Sequence, residues 1–78
     1  MDGKFKSWRD IRDWARSNEF NHLANRMELN DRCWMSSGEF GRSQVAICDA
    51  IRFADSEEEA KEIAAELDLE MEHNHGLW

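Results

Sequence analysis

The chain has 78 residues, with 17 acidic and 10 basic side chains and a formal net charge of −7. Its length predicts one domain over residues 1–78, and its 41% apolar and 10% aromatic content is not that of a disordered chain. The composition excludes a transmembrane helix, which needs roughly 20 apolar residues in a row, and a disulfide scaffold, for which two cysteines are too few. The first residues contain no apolar stretch typical of a signal peptide, so we expect a cytoplasmic protein.

The acidic charge is concentrated in the last third of the chain. Residues 1–54 contain nine basic and eight acidic side chains (net +1), whereas residues 55–78 contain one basic and nine acidic side chains (net −8). This asymmetry predicts that an electrostatic interaction with a partner involves the last third.

Two helices are predicted in the first part of the chain. Ser7 is a predicted N-cap, and Asp10 three residues later favours a helix start. The apolar residues that follow lie within about 120° of helical arc: Trp8, Ile11, Trp14 and Ala15. A second helix is predicted where apolar residues recur at helical spacing: Phe20, Leu23, Ala24 and Met27. The pair Asn30-Asp31 is predicted to end it.

Residues 32–54 fit two different structures. In the first, residues 36–41 form a loop and Ser43 caps a third helix that carries Val45 and Ile51. In the second, this region folds as a β-hairpin, with strands on either side of residues 37–41. Asp49 would lie on the apolar face of that hairpin, which favours the helix.

The last helix is predicted over residues 56–70. Ser56 and Glu59 have the spacing of a capping box, and one apolar stripe follows: Ala60, Ile63, Ala64, Leu67 and Met71. Residues 67–72 also alternate between apolar and acidic, so a helix end near Leu67 followed by a short strand is the alternative.

These elements predict a mainly α domain of three to four helices, with an α+β domain (a hairpin around 32–48 and a short C-terminal strand) as the alternative. A chain of this size buries only about 60–65% of its unfolded surface, so a homodimer that adds core area also stays open. The predicted core consists of large apolar residues: Trp8, Ile11, Trp14, Phe20, Leu23, Met27, Trp34, Val45, Ile47, Ile51, Phe53, Ile63 and Leu67.

The last helix presents a ladder of glutamates. Glu58, Glu62 and Glu66 are successive i, i+4 neighbours, and Glu59 and Glu70 lie beside them. Like charges at this spacing destabilise an isolated helix by a few tenths of a kcal/mol per pair. The ladder is therefore a candidate docking face for a cationic partner, with carboxylates in the place of phosphates. A solvated face that keeps the protein in solution is the alternative.

The segment from Trp34 to Arg42 is the most unusual part of the sequence. It contains Trp34, Phe40 and Arg42, and these residue types are enriched at interface hot spots. They are candidate partner-binding residues; alternatively, the two aromatic side chains fold back as a lid on a small core. The C-terminal pair Leu77-Trp78 has the same two interpretations.

The sequence contains residues that suit two further kinds of site. An arginine face on the first helix beside Trp8 suggests a nucleic-acid-binding module, with candidate residues Arg9, Arg12, Arg16 and Arg26. Asp13 partly cancels this face, and the net negative charge opposes nucleic-acid binding. Zinc ligands in principle include Cys33, Cys48, His22, His73 and His75, but their spacing does not match a tetrahedral site. We expect no metal and no cofactor.

The sequence contains no local signature of nucleophilic catalysis and no phosphate-binding glycine loop, so we expect no enzyme. The leading expectation is a non-enzymatic protein-interaction module that docks on a basic protein surface, such as an inhibitor or nucleic-acid mimic. Small acidic inhibitors carried by phages and mobile elements, including anti-CRISPR and anti-restriction proteins, have a similar composition. A nucleic-acid-binding module with an arginine face is the alternative.

Overall fold

The computed structural model describes residues 2–73 and confirms a mainly α domain. Four α-helices follow a short 3₁₀ turn at Asp2–Lys4: α1 (Trp8–Ser17), α2 (Asn21–Cys33), α3 (Gly38–Arg52) and α4 (Glu57–His73). Within the described residues there is no strand, so the α+β alternative is wrong. No helix in this range is long and apolar enough to cross a membrane.

The first helix begins where the sequence predicts. The Asp10 carboxylate accepts hydrogen bonds from the backbone N–H groups of Lys6 (2.8 Å) and Ser7 (3.3 Å), which fixes the entry into α1. The helix ends at Ser17, and the side-chain amide of the C-cap residue Asn18 donates to the carbonyl of Trp14 at 2.8 Å. Glu19 then adopts a left-handed conformation with φ of 66°, which turns the chain toward α2.

The second helix begins without a local cap. Phe20 stands at the N-cap position, and its side chain has no oxygen to accept a hydrogen bond from the first turn. The Asp68 carboxylate of α4 supplies this oxygen, since the backbone N–H of Leu23 donates to it at 2.9 Å. The predicted stop at Asn30-Asp31 is wrong: the helix continues to Cys33, and Asn30 is fully buried within it.

The third helix is longer than the sequence predicts. It begins at Gly38, inside the predicted loop, and Ser37 rather than Ser43 is its N-cap. The Ser37 hydroxyl accepts a hydrogen bond from the backbone N–H of Glu39 at 3.3 Å. Asp49, which would have been on the inner face of a hairpin, is exposed.

The fourth helix begins with a modified capping box. The Ser56 hydroxyl accepts from the backbone N–H of Glu59 at 3.2 Å, and the Glu59 carboxylate accepts from the backbone N–H of Asp55 at 3.0 Å. The helix runs to His73, so the predicted strand after Leu67 is wrong. Met71 is buried and continues the apolar stripe of the preceding turns. The helical spacing of apolar residues therefore determines the structure here, and not the apolar–acidic alternation of residues 67–72.

Helix α2 packs against each of the other three helices, and the core lies between them. The largest fully buried apolar side chains come from α1, α2 and α3: Ile11, Leu23, Met27, Ile47 and Ile51. Phe5, which precedes α1, is buried and contacts Trp14 edge to face at 5.6 Å. Sequence patterning missed this contact because Phe5 belongs to no helix.

Three predicted core residues are exposed instead. Trp34, Val45 and Phe53 are 54%, 60% and 71% exposed. Trp34 follows the last residue of α2 and Phe53 follows the last residue of α3, so both lie beyond the packed part of their helices. Val45 lies on α3 outside the stripe that faces the core.

The cap that α4 provides to α2 predicts a measurable loss of stability. Asp68→Ala should lower the free energy of unfolding by about 1 kcal/mol, the usual effect of removing a capping side chain. Asp68→Asn, which keeps an acceptor oxygen, should have a smaller effect. Urea unfolding followed by circular dichroism measures both. Glu66→Ala is the control on the same helix, and an equal loss there would contradict the role of Asp68.

Candidate partner-binding surfaces

The glutamates of α4 divide into a free set and a set that the fold uses. Glu58, Glu62, Glu66 and Glu70 are exposed and make no ion pair with any described residue. Successive members stand one helical turn apart, roughly 6 Å along the axis. We call these four residues the acidic face.

Two neighbouring glutamates have structural roles instead. Glu59, predicted to bind a partner, accepts the hydrogen bond from Asp55 that begins α4. Glu57 pairs with Lys4 at 2.8 Å, and this hydrogen bond and the charge of Lys4 lower the pKa of Glu57. The indole N–H of the buried Trp14 also lowers this pKa, although Trp14 Nε1 does not meet the geometry of a hydrogen bond.

The two aromatic residues of the 34–42 segment have different environments. Phe40 is half-buried, and the guanidinium carbon of Arg26 lies 5.6 Å from its ring centroid. Trp34 is 54% exposed, and neighbouring Met35 is 79% exposed. Phe40 is not among the partly buried side chains that pack against the core, so its role as a lid stays a prediction. Trp34 is exposed, as a surface anchor would be. Arg42 is exposed and makes no ion pair in the part of the chain that the structure describes.

A groove beside Trp34 is a feature that the sequence analysis did not find. It lies between the end of α2 and the beginning of α3 and has a volume of about 220 Å³. We call it the α2–α3 groove. Its lining residues are Asn30, Asp31, Trp34, Gly41, Gln44 and Val45.

The floor of the α2–α3 groove is a polar network with one unused acceptor. The Gln44 amide N–H donates to the carbonyl of Met27 at 2.9 Å, which orients the Gln44 oxygen toward Asn30. The Asn30 Nδ2 donates to that oxygen and to the Ser43 hydroxyl, both at 3.3 Å. The Asn30 Oδ1 is therefore left buried without a hydrogen-bond partner. Such an acceptor is uncommon in folded proteins because its desolvation is not compensated.

The predicted arginine face is largely engaged within the protein. Arg16 pairs with Glu28 of α2 at 3.0 Å, and Arg12 lies 3.7 Å from the same carboxylate and 3.0 Å from Asp13. Arg26 stacks on Phe40, and burial lowers the pKa of its guanidinium. Arg9 is exposed on α1, 5.1 Å from the ring centroid of Trp8. The four predicted residues do not form one free basic patch.

The cysteines and histidines do not come together among residues 2–73. This part of the chain contains no cluster of three or more His, Cys, Asp or Glu side chains that could hold a metal ion. Cys48 is buried and Cys33 is half-buried, and neither forms a disulfide. Burial raises the pKa of the Cys48 thiol. His75 and the pair Leu77-Trp78 lie outside the described residues.

Comparison of the chain with protein-family models, curated proteins and solved structures gives no match. The proposed function therefore rests on the sequence and structure of this chain.

The different environments of the two aromatic residues predict different effects on stability. Phe40→Ala should lower the free energy of unfolding by about 1–2 kcal/mol, less than the 3–5 kcal/mol of a fully buried Phe. Trp34→Ala should change it by less than about 0.5 kcal/mol, as is usual for surface positions. Urea unfolding of the two variants tests this. A larger loss for Trp34→Ala would make Trp34 part of the core.

The thiols should differ in reactivity. Cys33 should react with a thiol reagent at neutral pH well before Cys48, whose burial and raised pKa keep it as an inaccessible thiol. Burial holds the pKa of Cys48 in the folded protein above its ordinary value of 9.0. The neutral Cys48 thiol therefore contributes fully to stability below pH 9.0, and this contribution is lost as pH rises through the pKa of the folded protein. Mass spectrometry after timed labelling identifies each site. Simultaneous labelling would contradict the burial of Cys48.

Proposed function

We propose that this chain is a non-enzymatic protein-interaction module whose acidic face docks on a basic surface of a protein partner. One observation carries the proposal: the acidic face has four exposed carboxylates in a row that form no ion pair with the described residues. Several other acidic side chains of the domain are used within the fold. Glu28 binds arginines of α1, Glu57 binds Lys4 and Asp68 caps α2.

Electrostatics favours a cationic partner at the acidic face. Neighbouring like charges repel one another along the helix, and the helix dipole offsets this repulsion only in the first turn, not at Glu62 or Glu66. A basic surface would relieve the repulsion and would also increase the association rate through long-range attraction. The rigid helix holds the carboxylates in a regular row, as phosphates are held in nucleic acid.

A protein surface that normally holds nucleic acid is the partner that these charges fit best. Occupation of such a surface by the acidic face would exclude the nucleic acid, so the module would act as an inhibitor. Its small size and acidity are those of inhibitors carried by phages and mobile elements, which would act in the cytoplasm of their host. The opposite role, in which the module itself binds nucleic acid, has less support because Arg12 and Arg16 already form ion pairs with Glu28.

The proposal is tested by affinity capture from a host extract with and without nuclease. A directly bound protein should be retained after nuclease treatment, should be basic at its contact surface and should dissociate as salt concentration rises. A parallel titration with duplex DNA and RNA addresses the competing role. Binding to either with a steep salt dependence would favour the nucleic-acid-binding module instead.

Neutralising the acidic face should weaken the interaction without unfolding the protein. The variant E58Q/E62Q/E66Q should bind the captured partner about threefold to 150-fold more weakly, since three ion pairs of about 0.2–1 kcal/mol each are lost. The matched control is E19Q/E39Q/D55N, which removes the same number of charges from exposed positions elsewhere. Calorimetry with the purified partner measures both. Equal weakening by the two variants would indicate a net-charge effect, and unchanged binding would exclude the acidic face.

A further inference from the structure

We propose that the α2–α3 groove is a pocket for one apolar side chain of a basic polypeptide segment, with a lysine or arginine beside that side chain. The identity of the occupant rests on the proposed function, in which the partner is a protein with a basic surface. The groove itself is defined by residues outside the acidic face.

The wall residues of the groove suit an apolar side chain. Trp34 and Val45 are 54% and 60% exposed, and both line the groove. Trp is among the residues most enriched at binding hot spots, and adjoining exposed apolar side chains mark interaction sites. The volume of about 220 Å³ is below the roughly 300–1,000 Å³ of small-molecule and cofactor sites. It therefore suits a single aliphatic or aromatic side chain rather than a cofactor.

The absence of a side chain at Gly41 contributes to the open volume of the α2–α3 groove. Gly41 lies within α3, where glycine is the least favourable residue after proline. A Cβ atom added at this position would meet no atom within 4 Å, so packing inside the domain does not require glycine. Gly41 stands about one turn before Gln44 and Val45, which also line the groove. A methyl group here would project from the same face of α3 and would narrow the groove.

The charge of the groove selects a cationic neighbour for the apolar side chain. Asp31 is the charged residue of the lining, and its carboxylate makes no ion pair with any described residue. The Asp31 carboxylate attracts a hydrogen-bond donor with positive charge and would repel a second carboxylate. The buried Asn30 Oδ1 is also without a hydrogen-bond partner, although it is not accessible from outside the domain.

The test uses defined peptides and nuclear magnetic resonance, which detects weak binding at single residues. The probe is acetyl-Gly-Lys-Leu-Lys-Gly-amide, and the two control peptides replace both lysines by glutamate or the leucine by serine. The lysine–leucine peptide should shift the backbone signal of Gly41 and the indole signal of Trp34 in a saturable manner. The control peptides should shift neither signal at equal concentration.

Two substitutions separate binding from folding. Gly41→Ala should raise the midpoint of thermal unfolding, because alanine favours the helix, yet weaken peptide binding by about fourfold or more, the effect of one displaced methyl-sized contact. The matched control is Gly38→Ala, at a glycine in the first turn of the same helix that also has open space and does not line the groove. It should leave peptide affinity unchanged. Asp31→Asn should reduce affinity and its salt dependence.

Each outcome decides the proposal. Equal shifts with the glutamate peptide, or unchanged affinity in Gly41→Ala, would overturn it. Concentration-dependent shifts of the same signals without peptide would show that a second copy of this chain occupies the groove, which also overturns it. The E58Q/E62Q/E66Q variant should bind the peptide normally. The two proposals are therefore tested independently. Absence of peptide binding would overturn the groove proposal without affecting partner capture. Loss of capture by the E58Q/E62Q/E66Q variant would concern the acidic face without affecting peptide binding.

Discussion

The hydrogen bond from Leu23 to Asp68 joins the beginning of α2 to the second half of α4, 45 residues apart in sequence. Helix α2 is the element against which all the others pack, yet Phe20 at its N-cap has no capping oxygen. A carboxylate at this end also interacts favourably with the helix dipole. The domain therefore uses a tertiary contact for a task that a neighbouring residue usually performs. The same contact, together with the buried stripe of Ala60, Ala64 and Met71, holds α4 against α2.

This constraint separates the acidic residues by function. Asp10 and Asp68 accept backbone hydrogen bonds at the starts of helices, and Glu28 and Glu57 form ion pairs between elements. Once α4 is held with Asp68 toward α2, the acidic face is directed to solvent. The exposure of these glutamates follows from that orientation, and their carboxylates make no ion pair with the described residues. Side chains that are exposed, unpaired and repelling one another are the ones available to a partner.

The local features of the fold could be predicted and the nonlocal ones could not. The starts of α1 and α4 depend on residues three positions apart, Ser7 with Asp10 and Ser56 with Glu59, so the sequence reveals them. The start of α3 was misplaced because Ser37 and Ser43 are both acceptable caps and Gly41 argues against a helix between them. Asn30 looks like a turn residue, and only its bonds to Ser43 and Gln44 explain its burial. Among the glutamates of α4, the capping role of Glu59 follows from its spacing to Ser56, whereas only the three-dimensional arrangement shows that Glu57 pairs with Lys4.

The two proposed surfaces would contribute to recognition through different interactions, one electrostatic and one dependent on shape. In the proposed complex, long-range attraction at the acidic face would set the encounter rate and would depend on salt, but it would discriminate poorly among basic partners. The contacts in a small groove with one carboxylate and one apolar wall act only at short range, and their affinity would depend on the shape of the inserted side chain. The groove is at the end of α2 next to Trp34. This end lies roughly 16 Å along the helix axis from Leu23, where Asp68 of α4 caps α2. A partner that contacts both surfaces must therefore present a basic patch and an apolar side chain at a fixed separation, a requirement that selects more strongly than charge alone.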